Sequence, residues 1–144
     1  MKSVKQILQD KGNEVWKVTP DISVFDALEL MSEKNVGALL VFEAERLIGI
    51  FSERDYARKV ILKGKSSKNT HVKEIMSTKI LHVGPEQSIE ECMALMTDKR
   101  IRHLPVLAGD EVLGIISIGD VVKAIISEQE ITIHWLEEYI GGVS

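Results

Sequence analysis

Two short stretches hold the residues best suited to chemistry, Gly49-Ile50-Phe51-Ser52-Glu53-Arg54-Asp55 and Gly114-Ile115-Ile116-Ser117-Ile118-Gly119-Asp120. Each reads as an apolar strand that ends in a polar turn and opens a helix, the second helix running from Val121 to about Ser127. A strand-to-helix junction aims unpaired backbone N–H groups and the positive end of a helix dipole at one spot. Anionic or polyhydroxylated ligands suit such a spot. An ionised aspartate accepts hydrogen bonds at two oxygens and so can hold two vicinal hydroxyls, while a serine hydroxyl both donates and accepts. Ser-x-x-Asp ahead of an apolar run is also a capping box, a purely structural device. Recurrence of the whole pattern at a fixed offset favours ligand contact over capping alone.

The elements that must position these residues are themselves duplicated. Displacing the sequence by 65 residues aligns Pro20 with Pro85, Ser23 with Ser88, Leu30-Met31 with Leu95-Met96, Leu39 with Leu104 and Gly49-Ile50 with Gly114-Ile115. The lead-ins Val4 to Leu8 and Val72 to Met76 align only at a displacement of 68, so three extra residues lie in the first copy, around Lys11-Gly12-Asn13. Each copy opens on an extended segment stopped by proline, Val15 to Val18 or Ile80 to Val83. Ser23-x-x-Asp26 and Ser88-x-x-Glu91 then predict capped helices, with Val24, Ala27, Leu28, Met31 and Ile89, Cys92, Met93, Met96 at helical spacing. Strands follow over Leu39 to Phe42 and Leu104 to Leu107, where Pro105 favours a strand start or edge. Further strands are expected over Leu47 to Phe51 and Val112 to Ile116 before the closing helices.

The predicted fold is therefore mixed α/β (α+β), two β-α-β-β-α repeats too small to close separate cores and expected to pack about a pseudo-twofold axis. The first repeat spans residues 1–63, the polar segment 64–70 is the linker, and the second repeat spans 71–127. Residues 128–144 form a helical extension with Ile131, Trp135, Leu136 and Tyr139 near one face, ended by Gly141-Gly142.

Composition narrows the function. A net charge of −4 over 144 residues argues against a generic nucleic-acid binder. The chain lacks an apolar run of membrane-spanning length, and Met1 to Leu8 lacks a secretory apolar segment. No membrane association and a cytoplasmic location are expected. Cys92 is the single cysteine, and His71, His82 and His134 follow no ligand spacing, so neither a disulfide nor a metal site is expected. No paired nucleophile and base and no glycine-rich phosphate loop appear, which points away from an enzyme and from a catalytic cofactor.

The repeat order, the Val-Lys-x-Ile-Leu/Met lead-ins, Gly-Ile-x-Ser-x-x-Asp in both copies and Ile101-Arg102-His103-Leu104-Pro105-Val106 together resemble the cystathionine beta-synthase (CBS) domain in its tandem-pair form. The likeness covers nearly the whole chain and is closest to short stand-alone CBS-pair proteins. It implies a regulatory module that binds an adenine nucleotide (AMP, ATP or NAD(H), or S-adenosylmethionine) in the cleft between its halves. It also implies a homodimer formed through the CBS-pair helices, acting on a regulated protein that the residues do not identify.

On that resemblance Asp120 and Ser117 hold the ribose of one site, with Gly119 leaving space and Arg54 supplying a phosphate clamp. Asp55 and Ser52 form a second site, with Arg102 and His103 as phosphate contacts, and their counterparts Gly37 and Ala38 offering backbone and room. Adenine is expected against the extended lead-ins, at Val18 and Thr19 for one site and at Leu81 and Val83 for the other. The alternative is a ligand-independent dimerisation or docking module carried by Trp135, Tyr139 and the apolar helix faces.

Overall fold

The computed structural model describes residues 2–143, with the side chains of residue 139 and of residues 141–143 left undescribed. Its elements run α1 (Val4–Lys11), β1 (Lys17–Val18), α2 (Val24–Lys34), β2 (Ala38–Glu43), β3 (Arg46–Ser52), α3 (Glu53–Tyr56), a π-helical turn (Ala57–Ile61), α4 (Val72–Ile75), α5 (Ile89–Lys99), β4 (His103–Ala108), β5 (Glu111–Ser117) and α6 (Ile118–Val143). The fold is α+β, as the repeat pattern predicts. Its two folded units are residues 15–80 and residues 1–14 with 81–144. The units do not follow the repeats: the lead-in helix of each copy packs in the other copy's unit.

In the unit of residues 15–80, β2 and β3 form an antiparallel hairpin and β1 adds in parallel to β2. The hairpin turn lacks glycine, so Ala44 and Glu45 themselves take left-handed backbone at φ 48° and 64° to match the strand twist. Helix α2 starts at Ser23, whose hydroxyl accepts the Asp26 N–H at 3.0 Å. Asp26 does not complete the reciprocal half of the expected box; Ser23 instead forms a β-bridge with His71. Val24, Ala27 and Met31 bury the inner face of α2 against Leu39, Val41 and Phe51. The polar segment 64–70, expected as a linker, is anchored in this unit. Ser67 and Thr70 carbonyls accept the first α2 amides, from Phe25 at 3.0 Å and Val24 at 2.8 Å.

In the other unit β4 and β5 form the matching hairpin, with Gly109 at φ 63° in its turn. The extended segment expected over Ile80 to Val83 shrinks to one bridge, Val83 to Val106. Proline explains the loss. In the first copy the Leu40 N–H donates to the Trp16 carbonyl at 3.0 Å and so extends the ladder. The equivalent residue here is Pro105, which has no N–H to give to Leu81. Helix α5 has its full capping box, with Ser88 Oγ accepting the Glu91 N–H at 3.1 Å and Glu91 reaching back to the Ser88 amide at 3.4 Å.

The glycine that begins each Gly-Ile-x-Ser-x-x-Asp stretch is where the lead-in crosses the sheet. A Cβ on Gly49 would stand 2.5 Å from Met76 Sδ and 3.2 Å from the Ser77 carbonyl; one on Gly114 would stand 2.8 Å from Leu8 Cδ2. The crossing is fastened in the first case by Ile50 N–H to Ser77 O at 3.0 Å and Ser77 N–H to Ile50 O at 2.9 Å. Val4 and Ile7 of α1, and Val72 and Ile75 of α4, are buried by it.

Helix α6 is continuous from Ile118 to Val143, so Gly141-Gly142 lies inside it. Glycine weakens a helix interior by about 1 kcal/mol without by itself supplying a stop. Trp135 and Leu136 are exposed, and the Tyr139 side chain lies outside the described residues. Among the described residues no helix is long and apolar enough to cross a membrane. Cys92 is buried, and burial, with Glu91 adding to it, pushes its thiol up to about 11.

Gly49→Val should destabilise the protein by about 2 kcal/mol, since valine must displace both Met76 and the Ser77 backbone. Urea unfolding monitored by Trp16 and Trp135 fluorescence measures it, and an unchanged midpoint would show that the crossing tolerates a side chain.

Candidate functional site

The end of β5 and the start of α6 form one rigid corner. The Ser117 amide donates to Asp120 Oδ2 at 2.8 Å, and Ser117 Oγ accepts the Asp120 N–H at 3.1 Å. The Ile118 amide is taken by the Arg102 carbonyl at 2.8 Å. His103 is the cross-strand partner of Ser117. Arg102 and His103, expected on phosphates near Asp55, are thus neighbours of Ser117 and Asp120 within one unit. A Cβ on Gly119 would stand 3.6 Å from Ser117 Oγ, an ordinary contact distance.

Asp120 has a further partner that sequence reasoning missed. Lys11 Nζ lies 2.7 Å from Asp120 Oδ2 and donates to the Ile115 carbonyl at 2.9 Å. The signal was present in the repeat comparison: the three extra residues of the first copy fall here. Here α1 runs for eight residues where α4 has four, and the added turn carries Lys11 to the corner. Lys2, Asp10, Lys123 and Ser127 join Lys11 and Asp120 around a cavity of about 310 Å³.

Burial pushes the Asp120 carboxyl up, but the hydrogen bonds from Lys11 and Ser117 and the charge of Lys11 outweigh it and hold the group below the usual carboxylate range. His103 is held below the usual imidazole range, first by burial and then by Lys11, with Asp120 opposing and Arg102 adding. It is therefore neutral at pH 7 and serves as a hydrogen-bonding group there, without a cation's pull on phosphate.

The corresponding corner of the first copy is closed more tightly. Asp55 is 9% exposed. Its Oδ2 accepts the Ser52 amide at 3.0 Å and the Ser52 hydroxyl at 3.2 Å. Its Oδ1 is met by Lys59 Nζ at 3.1 Å and the Ser77 hydroxyl at 3.4 Å. Lys59 comes from the π-helical turn one turn after Asp55; the second copy has Ala124 at that place, and Lys11 arrives from α1 instead. Gly37 receives the Glu53 amide at 3.1 Å and Ala38 pairs with Ser52, so both line this corner as backbone. Arg54 is half-buried on α3.

The residues named for adenine divide. Val18 and Val83 are buried, with side chains committed to their cores; Leu81 is half-buried against the second, and Thr19 is exposed. Among the described residues no group of His, Cys, Asp and Glu is arranged to hold a metal ion.

The CBS-domain family model matches residues 4–62 and 72–127, both repeats. The chain belongs to the CBS-domain family. A CBS-domain protein of known structure from Burkholderia ambifaria is 53% identical, covers 89% of this chain and 96% of its own, and superposes with a TM-score of 0.85. The mitochondrial CBS domain-containing protein CBSX3 of Arabidopsis thaliana is 41% identical over 97% of this chain and 72% of its own length. The CBS domain pair of protein MJ0100, solved with 5′-methylthioadenosine and S-adenosylmethionine, shares the fold at 20% identity, TM-score 0.77, covering 89% of this chain and 98% of its own.

In this CBS pair a carboxyl with a depressed pKa adds stability that is present above its unfolded value, about pH 3.9, and lost as pH falls through the folded value. Asp120→Asn should therefore cost about 1 kcal/mol at pH 7, from the weakened cap and lost ion pair. The difference from wild type should fade below about pH 4. Denaturant unfolding of both proteins at the two pH values checks this, and an equal gap at both would remove Asp120's charge from the account.

Proposed function

We propose that this CBS pair is a non-catalytic regulatory module that binds an adenine nucleotide, with Asp120 and Ser117 at the ribose and Ser52 and Asp55 as a second, weaker site. The observation that carries it is the Asp120 corner: an ionised, half-buried carboxylate held rigidly at a helix start beside a cavity lined with lysines. Such a carboxylate suits the vicinal hydroxyls of ribose. The adenosine ligands of the MJ0100 pair support the same ligand class. Arg54 is proposed as an additional phosphate contact, and AMP, ATP and NAD(H) as the ligands of choice. Asp55 ranks second because both of its oxygens have internal donors, whereas those of Asp120 fall on Oδ2. A bound nucleotide regulates a partner to the extent that it favours one conformation of the pair over another.

Isothermal titration with AMP, ATP, NAD, NADH and S-adenosylmethionine should give binding with at least one, weakened by about 1.5–3 kcal/mol in Asp120→Ala. Absence of heat with all five at millimolar ligand would sink the proposal.

A second reading, ligand-independent homodimerisation or docking, is favoured by α6 alone. From Gln129 onward its described side chains are exposed, including Ile133, Trp135, Leu136 and Ile140. Under that reading the molecular mass in solution drops on Trp135→Ala with Leu136→Ala and is indifferent to nucleotide; light scattering with and without AMP separates the two.

A further inference from the structure

We propose that Lys11 makes the Asp120 site select phosphorylated over unphosphorylated adenosine ligands; the proposal rests on the reading of Asp120 as the ribose carboxylate. Lys11 occupies Asp120 Oδ2 at 2.7 Å, the oxygen that also takes the Ser117 amide. Ribose hydroxyls that bind this carboxylate compete with the ammonium for its lone pairs. Displaced, the Lys11 side chain keeps the Ile115 carbonyl as a neutral acceptor and loses its counter-charge. With its side chain only 33% exposed, it cannot fully recover that loss from water. A ligand that brings its own anion restores the pairing, since a flexible four-carbon stem lets the ammonium follow a phosphate as a compact point charge.

The surroundings act in the same direction. Lys2 and Lys123 line the same cavity, so three lysines face the two carboxylates Asp10 and Asp120. Lys2 is already engaged, 3.6 Å from Asp10 and 3.5 Å from Ser127 Oγ, which leaves Lys11 as the cation tied directly to the ribose carboxylate. His103 beside it is neutral and adds no competing charge. The first copy is weaker in this respect, because Lys59 comes from the same helical stretch as Asp55 and is more exposed than Lys11, 44% against 33%, so water can better replace a lost counter-charge.

The test is the affinity of adenosine, AMP and ATP for the full chain as wild type, Lys11→Gln and Lys11→Arg, with circular dichroism confirming that each variant is folded. The wild type should prefer AMP to adenosine by about tenfold or more, the size of one charge-assisted hydrogen bond. Lys11→Gln should lose that preference, with AMP weakened and adenosine unchanged or tightened, and Lys11→Arg should restore most of it. Equal weakening of adenosine and AMP in Lys11→Gln would mark Lys11 as a structural prop and overturn the proposal, as would no change in either. If AMP binds in an Asp120-dependent way while Lys11→Gln is silent, this inference alone falls. If the wild type binds none of the three, it falls together with the ribose assignment.

Discussion

Everything in this CBS pair hangs on the crossing of a lead-in helix over a sheet at a glycine. A two- or three-stranded sheet flanked by its own helices still leaves apolar surface uncovered, too little for a stable unit and too much for water. Helix α1 supplies Val4 and Ile7 to the core around Val83, Ile89, Leu104 and Ile116, and α4 supplies Val72 and Ile75 to the core around Val24, Leu39 and Phe51. Each such fully buried side chain is worth about 1.5–3 kcal/mol, so a single exchanged lead-in decides whether a unit of this size holds. The approach is possible only because Gly49 and Gly114 carry no Cβ. The first residue of the ligand-like motif is therefore a packing residue, and the last two polar ones finish the corner that the crossing creates.

From that crossing follows the asymmetry of the two corners. Both have the same Ser–Asp hydrogen bonds, yet each aspartate takes its lysine from a different element. Asp55 is neutralised from within its own helical stretch and lies buried; Asp120 is neutralised across the unit by an added turn of α1 and keeps a lined cavity beside it. A longer lead-in helix thus changes the chemistry of a site more than a hundred positions away in the chain. The capping box and the binding carboxylate are the same atoms in different employment: the amide contacts orient the oxygens, and the cation determines what they accept.

Much of the architecture was legible from residues. Alternation and helical spacing gave the hairpins and α2 and α5, because those elements bury one face against a neighbour close in sequence. Ser88 with Glu91 and Ser117 with Asp120 were readable as caps for the same reason: three residues separate the partners. Where local reasoning stopped short, a distant partner intervened. The segment 64–70 has the composition of a linker, yet α2's unpaired amides draw its carbonyls into the fold. The extended stretch before Val83 was overcounted because the ladder it would join lacks the Pro105 donor.

By itself the sequence determined the duplication, the two hairpins with helices α2 and α5, the two Ser–Asp corners and the membership of the CBS family, all of which are written in short-range pattern and register. Only the tertiary structure decided which lead-in belongs to which unit, and therefore that Lys11 and not a residue of the second copy answers Asp120. It also set Arg102 and His103 beside Ser117, through strand register that pairs residues fourteen apart, His103 with Ser117. The physical reason is common to both. Pattern reports how a segment buries its own face, whereas the partner of a charged group is chosen by whichever backbone path brings a counter-charge within about 3 Å, and that path is closed by the whole fold.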